Sequence, residues 1–190
     1  MSTYPLITEV HQCRVPMEEY LETCVDVPQF LSYCRRCTNY GKVWSCPEHS
    51  FDPEAYFRAY DAILIVGHKI ILPEELTARI IPKEKQETFL KDLLTEPKKN
   101  LDRDMLALEA DHPGSRALSG GSCLYCQPAS CARIKGEPCR FPDKMRYSIE
   151  ALGGNVGLTV TRYLGQKLEW MEDNHLPHHF ILVGGLLLKA

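Results

Sequence analysis

The sequence predicts an α+β (or α/β) fold, a small mixed sheet with flanking helices and two cysteine-rich metal-binding loops, and three observations predict it. Apolar runs at residues 6–11, 62–72 and 180–188 have the composition of strands. Segments with helical start signals or amphipathic spacing lie between them, and two irregular stretches hold seven of the nine cysteines. At 190 residues with 44% hydrophobic side chains, the chain is expected to form one metal-binding domain, 1–190.

LITEVH, residues 6–11, is the expected first strand, and PMEEYLETC begins a helix with proline near its first turn. From Tyr33 to Pro53 three cysteines, two prolines and a glycine make a loop folded around something. Asp52 and Pro53 suit a helix start before EAYFRAY, and the β-branched run AILIVGHKIIL, 62–72, is the expected central strand. Residues 83–110 place Phe89, Leu90, Leu93 and Leu94, then Leu101, Met105, Leu106 and Leu108, at helical spacing, with Pro97 kinking or dividing the helix. After the loop GGSCLYC and the second cysteine region, Pro142 is expected to introduce a helix through Leu152, ended by Gly153 and Gly154. TRYLGQKLEWM then reads as a helix, and FILVGGLLL as the last strand.

A formal net charge of -3 and a pI of about 6.2 offer no global attraction for nucleic acid, so none is expected as a partner. MSTYPLITEV lacks a basic start before an apolar run, and no stretch approaches the roughly 20 apolar residues of a membrane span. The expectation is a cytoplasmic protein without membrane association. In a reducing compartment, clustered thiols favour metal or redox chemistry over a disulfide framework.

Cys123, Cys126, Cys131 and Cys139 form a C-x2-C-x4-C-x7-C run. Four thiolates complete a tetrahedral zinc site or hold the four irons of a 4Fe-4S cluster, and short spacers let one loop wrap the ligands around the metal. Structural zinc sites usually join two separated C-x2-C knuckles, so this compact run favours the 4Fe-4S cluster, with zinc as the alternative. A second site is expected at Cys34, Cys37 and Cys46, a C-x2-C-x8-C pattern. His49, Cys24 or Cys13 could complete it, or three thiols alone would leave an iron open to substrate. The bland account of Cys13 and Cys24 is small buried hydrophobes, and of the His178–His179 pair, surface or satisfied positions.

Arg35, Arg36 and Lys42 make the first loop positive, and Arg133, Lys135, Arg140, Lys144 and Arg146 the second. Such cations would favour a reduced cluster and steer an acidic redox partner protein; a solvated basic face is the plainer account. Trp44 is expected to shield the site from water.

CRRCTNYGKVWSCP, together with ALSGGSCLYC and PCRFPDKMRYSIEALGGNV, resembles the predicted metal-binding family catalogued as domain of unknown function 2284. Its recurring motifs fall here on Cys34, Cys37, Tyr40, Gly41, Lys42, Trp44, Cys46 and Pro47. They continue on Cys123, Cys126, Cys131, Cys139, Arg140, Pro142, Arg146, Ser148, Glu150 and Ala151. The resemblance implies a cysteine-rich metal-binding protein of iron-sulfur type and supplies no reaction. Arg146 and Glu150 share a helical face, which suggests an i,i+4 ion pair more than an acid–base pair.

Three functions compete. An electron-transfer or redox accessory role for a cluster-binding protein ranks first, a zinc-stabilised structural or interaction module second. An enzyme with an open iron at the three-cysteine loop ranks third, because no nucleophile–base pair, phosphate loop or dinucleotide fingerprint is present. Catalytic residues and oligomeric state are not readable from the sequence.

Overall fold

The run expected to be the central strand lies inside the sheet: β2 (Ala62–Ile71) is flanked by β1 (Ile7–Pro16) and β4 (His179–Leu188). β3 (Arg116–Leu118) completes the order β1-β2-β4-β3. The computed structural model describes residues 4–127 and 129–189; residues 1–3, where the N-terminal reading begins, lie outside them. Every strand pairing is antiparallel, with Ile65 opposite Cys13 on one side and Gly185 on the other. The class is the expected α+β, with a sheet that is antiparallel throughout rather than mixed.

Alternation along β2 buries both faces, because successive strand side chains point to opposite sides. Ile63 and Ile65 pack with Met17, Tyr20 and Leu21 of α1 (Met17–Cys24), Phe57 of α3 (Pro53–Arg58) and Val160 of α6 (Val156–Tyr163). Val66 turns the other way, onto Leu101 and Met105 of α5 (Lys83–Asp111). Each fully buried isoleucine contributes roughly 1.5–3 kcal/mol. Pro97 does not divide α5; it lies on the buried stripe Leu93, Pro97, Leu101 and Met105, where packing against the sheet offsets the lost hydrogen bond.

Two helices were not expected, α2 (Val27–Cys34) and the short α4 (Glu74–Thr77). α2 starts where the Asp26 carboxylate accepts from the Gln29 N–H at 3.0 Å, with Pro28 in its first turn. Two other expectations are corrected. No α-helix runs from Pro142 to Leu152, because Ser119 N–H donates to the Tyr147 carbonyl at 2.8 Å and that backbone is committed to pairing. A 3-10 turn, Glu150–Leu152, follows and stops at Gly153, whose φ is 90°. The helix expected over TRYLGQKLEWM is instead α6, which starts from the Asn155 cap and ends at Tyr163, shortly before Gly165 at φ 62°.

Candidate metal centre

Cys34 is the last residue of α2, and the 3-10 turn Glu150–Leu152 packs on that helix. A Cβ at Gly153 would lie 2.7 Å from the Val27 Cα, so only glycine permits this approach. The Asp26 N–H donates to the Gly153 carbonyl at 2.9 Å, and Cys34 Sγ lies 4.0 Å from the Glu150 carbonyl oxygen. Beyond Cys34 the chain coils in tight turns: Cys37 N–H to Cys34 O at 2.9 Å, Cys46 N–H to Val43 O at 3.0 Å, and Gly41 N–H to Pro47 O at 2.7 Å. The His49 ring then anchors the loop. It stacks on Phe51 at 4.8 Å between centroids and meets Tyr147 at 4.9 Å, while its Nε2 sits 2.8 Å from the Ala151 carbonyl.

The second loop is closed at its neck by Ser119 and Ser148, which form a bridge, and by Ser119 Oγ, which donates within reach of the Gly121 and Arg146 carbonyls. Arg146 does not pair with Glu150. Its guanidinium reaches Glu109 of α5 at 2.6 and 2.5 Å; the backbone there is not helical, so Arg146 and Glu150 share no helix face. Glu109 also accepts the Ala117 N–H at 2.6 Å. Burial acts to raise the Glu109 pKa, but the hydrogen bonds from Arg146 and Ala117 and the charges of Arg146 and Arg116 outweigh it and hold the carboxyl below its usual range.

The two loops interlock. Ser45 Oγ accepts the Cys123 N–H at 2.9 Å, Asn39 donates to Ser122 Oγ at 3.2 Å, and Trp44 Nε1 donates to the Glu137 carbonyl at 3.0 Å. Arg133 of the second loop donates to the Val43, Cys46 and Glu48 carbonyls of the first at 2.9, 2.6 and 2.6 Å. Trp44 therefore joins the loops, half-buried beneath the Arg133 guanidinium. Arg133 and the buried Arg146 are clamps, not parts of a solvated basic face.

Within each loop the thiols feel one another. Burial, then the charge of Cys37, then that of Glu150, raises the Cys34 pKa. Burial pushes the Cys46 thiol up to about 11, with Cys37 and Cys34 adding to it and the Ser45 hydrogen bond and Arg133 opposing it. Cys123 is raised by burial first; the Tyr125 N–H and Lys98 stabilise its thiolate, and Cys139 and Cys126 destabilise it. Cys123, Cys126 and Cys131 line one cleft of about 570 Å³, with Lys42, Lys91 and Lys99 on its walls. Among the described residues, no three His, Cys, Asp or Glu side chains already stand in a metal-holding arrangement.

The chain matches the model of a family described as predicted metal-binding protein (DUF2284) over residues 8–188. The chain belongs to that family. No curated protein and no solved structure matches it. Family membership carries the coarse conclusion, metal binding, which agrees with the chemistry of the donors. Several half-buried thiols that repel one another as thiolates are a set that a bound cation stabilises. No described helix is long and apolar enough to cross a membrane.

Cys24, 2% exposed, belongs to the apolar core, and half-buried Cys13 packs against it from β1, as the plainer account held. His179 is satisfied, with Nε2 on the Lys167 carbonyl at 2.9 Å, and exposed His178 lies 3.5 Å from Glu169. Four positioning residues were not anticipated: Ser45, Lys98, Asp102 and Glu109. Lys98 bonds Asp102 at 2.7 Å, Asp102 accepts the Gly120 N–H at 3.2 Å, and the Lys98 charge acts on both Cys123 and Glu150. Only the adjacency of Ser45 to Cys46 was a usable signal.

Proposed function

We propose that the protein is an iron-sulfur protein with a redox accessory or electron-transfer role. In this reading Cys123, Cys126, Cys131 and Cys139 hold a 4Fe-4S cluster, and Cys34, Cys37 and Cys46 form a second site beside it. One observation carries the reading. A single short loop brings Cys123, Cys126 and Cys131 to one cleft, keeps Cys139 close enough to act on Cys123, and directs the Tyr125 N–H at the Cys123 sulfur. Backbone N–H groups and cations near thiolates tune a cluster's potential, here Tyr125, Lys98 and the cleft lysines. When bound, such a cluster supplies reversible one-electron transfer. The residues exclude water (Trp44), hold the loops together (Arg133, Ser45) and present positive charge toward an acidic partner protein (Lys42, Lys91, Lys99).

Metal and acid-labile sulfide analysis with a visible spectrum, on protein purified without oxygen, tests this. Iron and sulfide near four each, and reversible one-electron reduction, are expected for one cluster; near eight each would assign a cluster to the first loop as well. The zinc module is the second reading, favoured by the tight turn that joins Cys34 and Cys37, with Cys37 N–H on Cys34 O at 2.9 Å, because a C-x2-C pair on a turn is also the spacing of structural zinc sites. Colourless protein holding zinc without sulfide would select it and overturn the electron-transfer role.

A further inference from the structure

The first loop brings three thiols, one donor short of a closed four-ligand set. We propose that Glu150 is the fourth protein donor of this site, a carboxylate ligand beside Cys34, Cys37 and Cys46. This rests on the metal-binding reading of that loop and names the residue that completes it.

The residues expected from the sequence to close the site are committed elsewhere. Cys24 lies in the apolar core with the Thr23 hydroxyl 3.8 Å from its sulfur, and Cys13 is on β1, opposite Ile65. His49 has Nε2 on the Ala151 carbonyl and its ring held between Phe51 and Tyr147. Glu150 differs. It opens the 3-10 turn that packs on α2, so its backbone stands 4.0 Å from Cys34 Sγ, and its charge acts on that thiol.

The Glu150 carboxyl is oriented and unfinished. Ser148 Oγ accepts the Ala151 N–H at 3.2 Å and hydrogen-bonds the Glu150 carboxyl, the kind of support that ligating carboxylates receive. Oε2 is buried with no hydrogen-bond partner, although the residue as a whole keeps some exposed surface. A buried carboxylate oxygen without a partner is costly, and a cation is what would satisfy it. Lys98, whose charge reaches it, is already bonded to Asp102 at 2.7 Å. Zinc accepts carboxylate oxygen as well as cysteine sulfur, and non-cysteine ligands occur at cluster iron, so the donor set is compatible with either metal of the proposed function. Binding releases the thiol protons, and the proton of the Glu150 carboxyl, to solvent and involves no change of oxidation state.

The test uses full-length wild type, Glu150→Gln and Cys34→Ser, all purified without oxygen. Metal content is measured as isolated and during challenge with a chromophoric chelator, and thermal unfolding is followed after chelation. Cys34→Ser identifies the metal that belongs to this loop. Glu150→Gln is expected to release that same metal at least about 10- to 100-fold more readily, the loss seen for outer-shell partners alone, and to keep the metal of the Cys123 loop. Once stripped of metal, Glu150→Gln should unfold at a temperature equal to or above that of stripped wild type, because a buried carboxyl oxygen without a partner has gone. A merely structural glutamate would give the opposite pair, a lower unfolding temperature and unchanged metal retention, and would overturn the proposal. If Glu150→Gln does not accumulate, Glu150→Ala replaces it, and wild-type retention by that variant overturns the proposal equally. Wild type and Cys34→Ser with identical metal content would remove the site itself, a failure of the underlying reading distinguishable from failure of Glu150 alone.

Discussion

The sheet and the cysteine loops are stabilised by different physics. β2 is apolar on both faces, and Ile63, Ile65 and Ile70 are fully buried without a specific polar partner for their side chains. The loops are held by directed bonds: three from Arg133, one from Ser45, one from Trp44, and the Arg146–Glu109 pair at their base. Burial is non-directional and tolerant, whereas polar clamps lose much of their value when one atom is displaced. In the proposed reading the loops therefore depend on a bound metal in a way that the sheet does not.

Removing metal is the largest way to break this contrast. Chelation is expected to expose the amides of residues 34–49 and 119–145 to hydrogen exchange while β2 and β4 stay protected. Structural zinc contributes apparent free energies of about 10–16 kcal/mol to small metal-folded units, so the change should be large and local. Uniform loss of protection across the sheet would show that the two regions unfold as one.

Arg146→Ala attacks the junction between them. Arg146 is 8% exposed and its partner Glu109 16%, and truncation leaves the carboxylate with only the Ala117 N–H and the more distant Arg116. Breaking a buried pair from one side costs roughly 3–5 kcal/mol. Denaturant unfolding should show a loss of that size, and metal retention should fall too, because Arg146 lies at the neck of the second loop. Unchanged stability would mean that the pair is an incidental contact.

Arg133→Ala and Ile65→Ala separate the regions more finely. Arg133→Ala removes charge-assisted hydrogen bonds between the loops, each worth about 1.5–3 kcal/mol against an unmade partner, so metal should be released faster while the sheet's hydrogen exchange changes little. Ile65→Ala should lower global stability by about 2–5 kcal/mol and leave metal release from the folded protein near the wild-type rate. The reverse pattern would overturn the division.

The same contrast governs what could be read in advance. β2 and β4 are visible as apolar runs because burial leaves its mark on composition. The cysteine spacings are visible for a related reason: in the proposed reading they are ligands, and ligands are chosen by residue type. The helix expected over 142–152 fails because local propensity does not record that Tyr147 would be claimed by Ser119, or Arg146 by a glutamate 37 positions earlier. Lys98, Asp102 and Glu109 carry no signal of their own, since charged residues on an amphipathic helix normally face water. Glu150 stood within a family motif, yet its position beside Cys34 depends on Gly153 meeting Val27, a contact across more than a hundred residues.

The smallest effect expected is on the sheet's own response to acid. His68 of β2 is 5% exposed, with Nε2 3.7 Å from Asp104 of α5. Burial lowers its pKa from 6.5, and Asp104 opposes this without cancelling it. The folded protein thus favours the neutral ring, so its contribution is complete above the unfolded pKa and is lost as pH falls below 6.5 toward the folded value. His68→Gln, neutral at every pH, should remove that part of the decline when the two proteins are compared by urea unfolding at pH 7.5 and 5.5. Comparison at matched pH cancels the loss of metal from thiolates that take up protons. If His68→Gln declines as steeply as wild type, the acid sensitivity belongs to the cysteine loops, and the sheet is insensitive to pH through this residue.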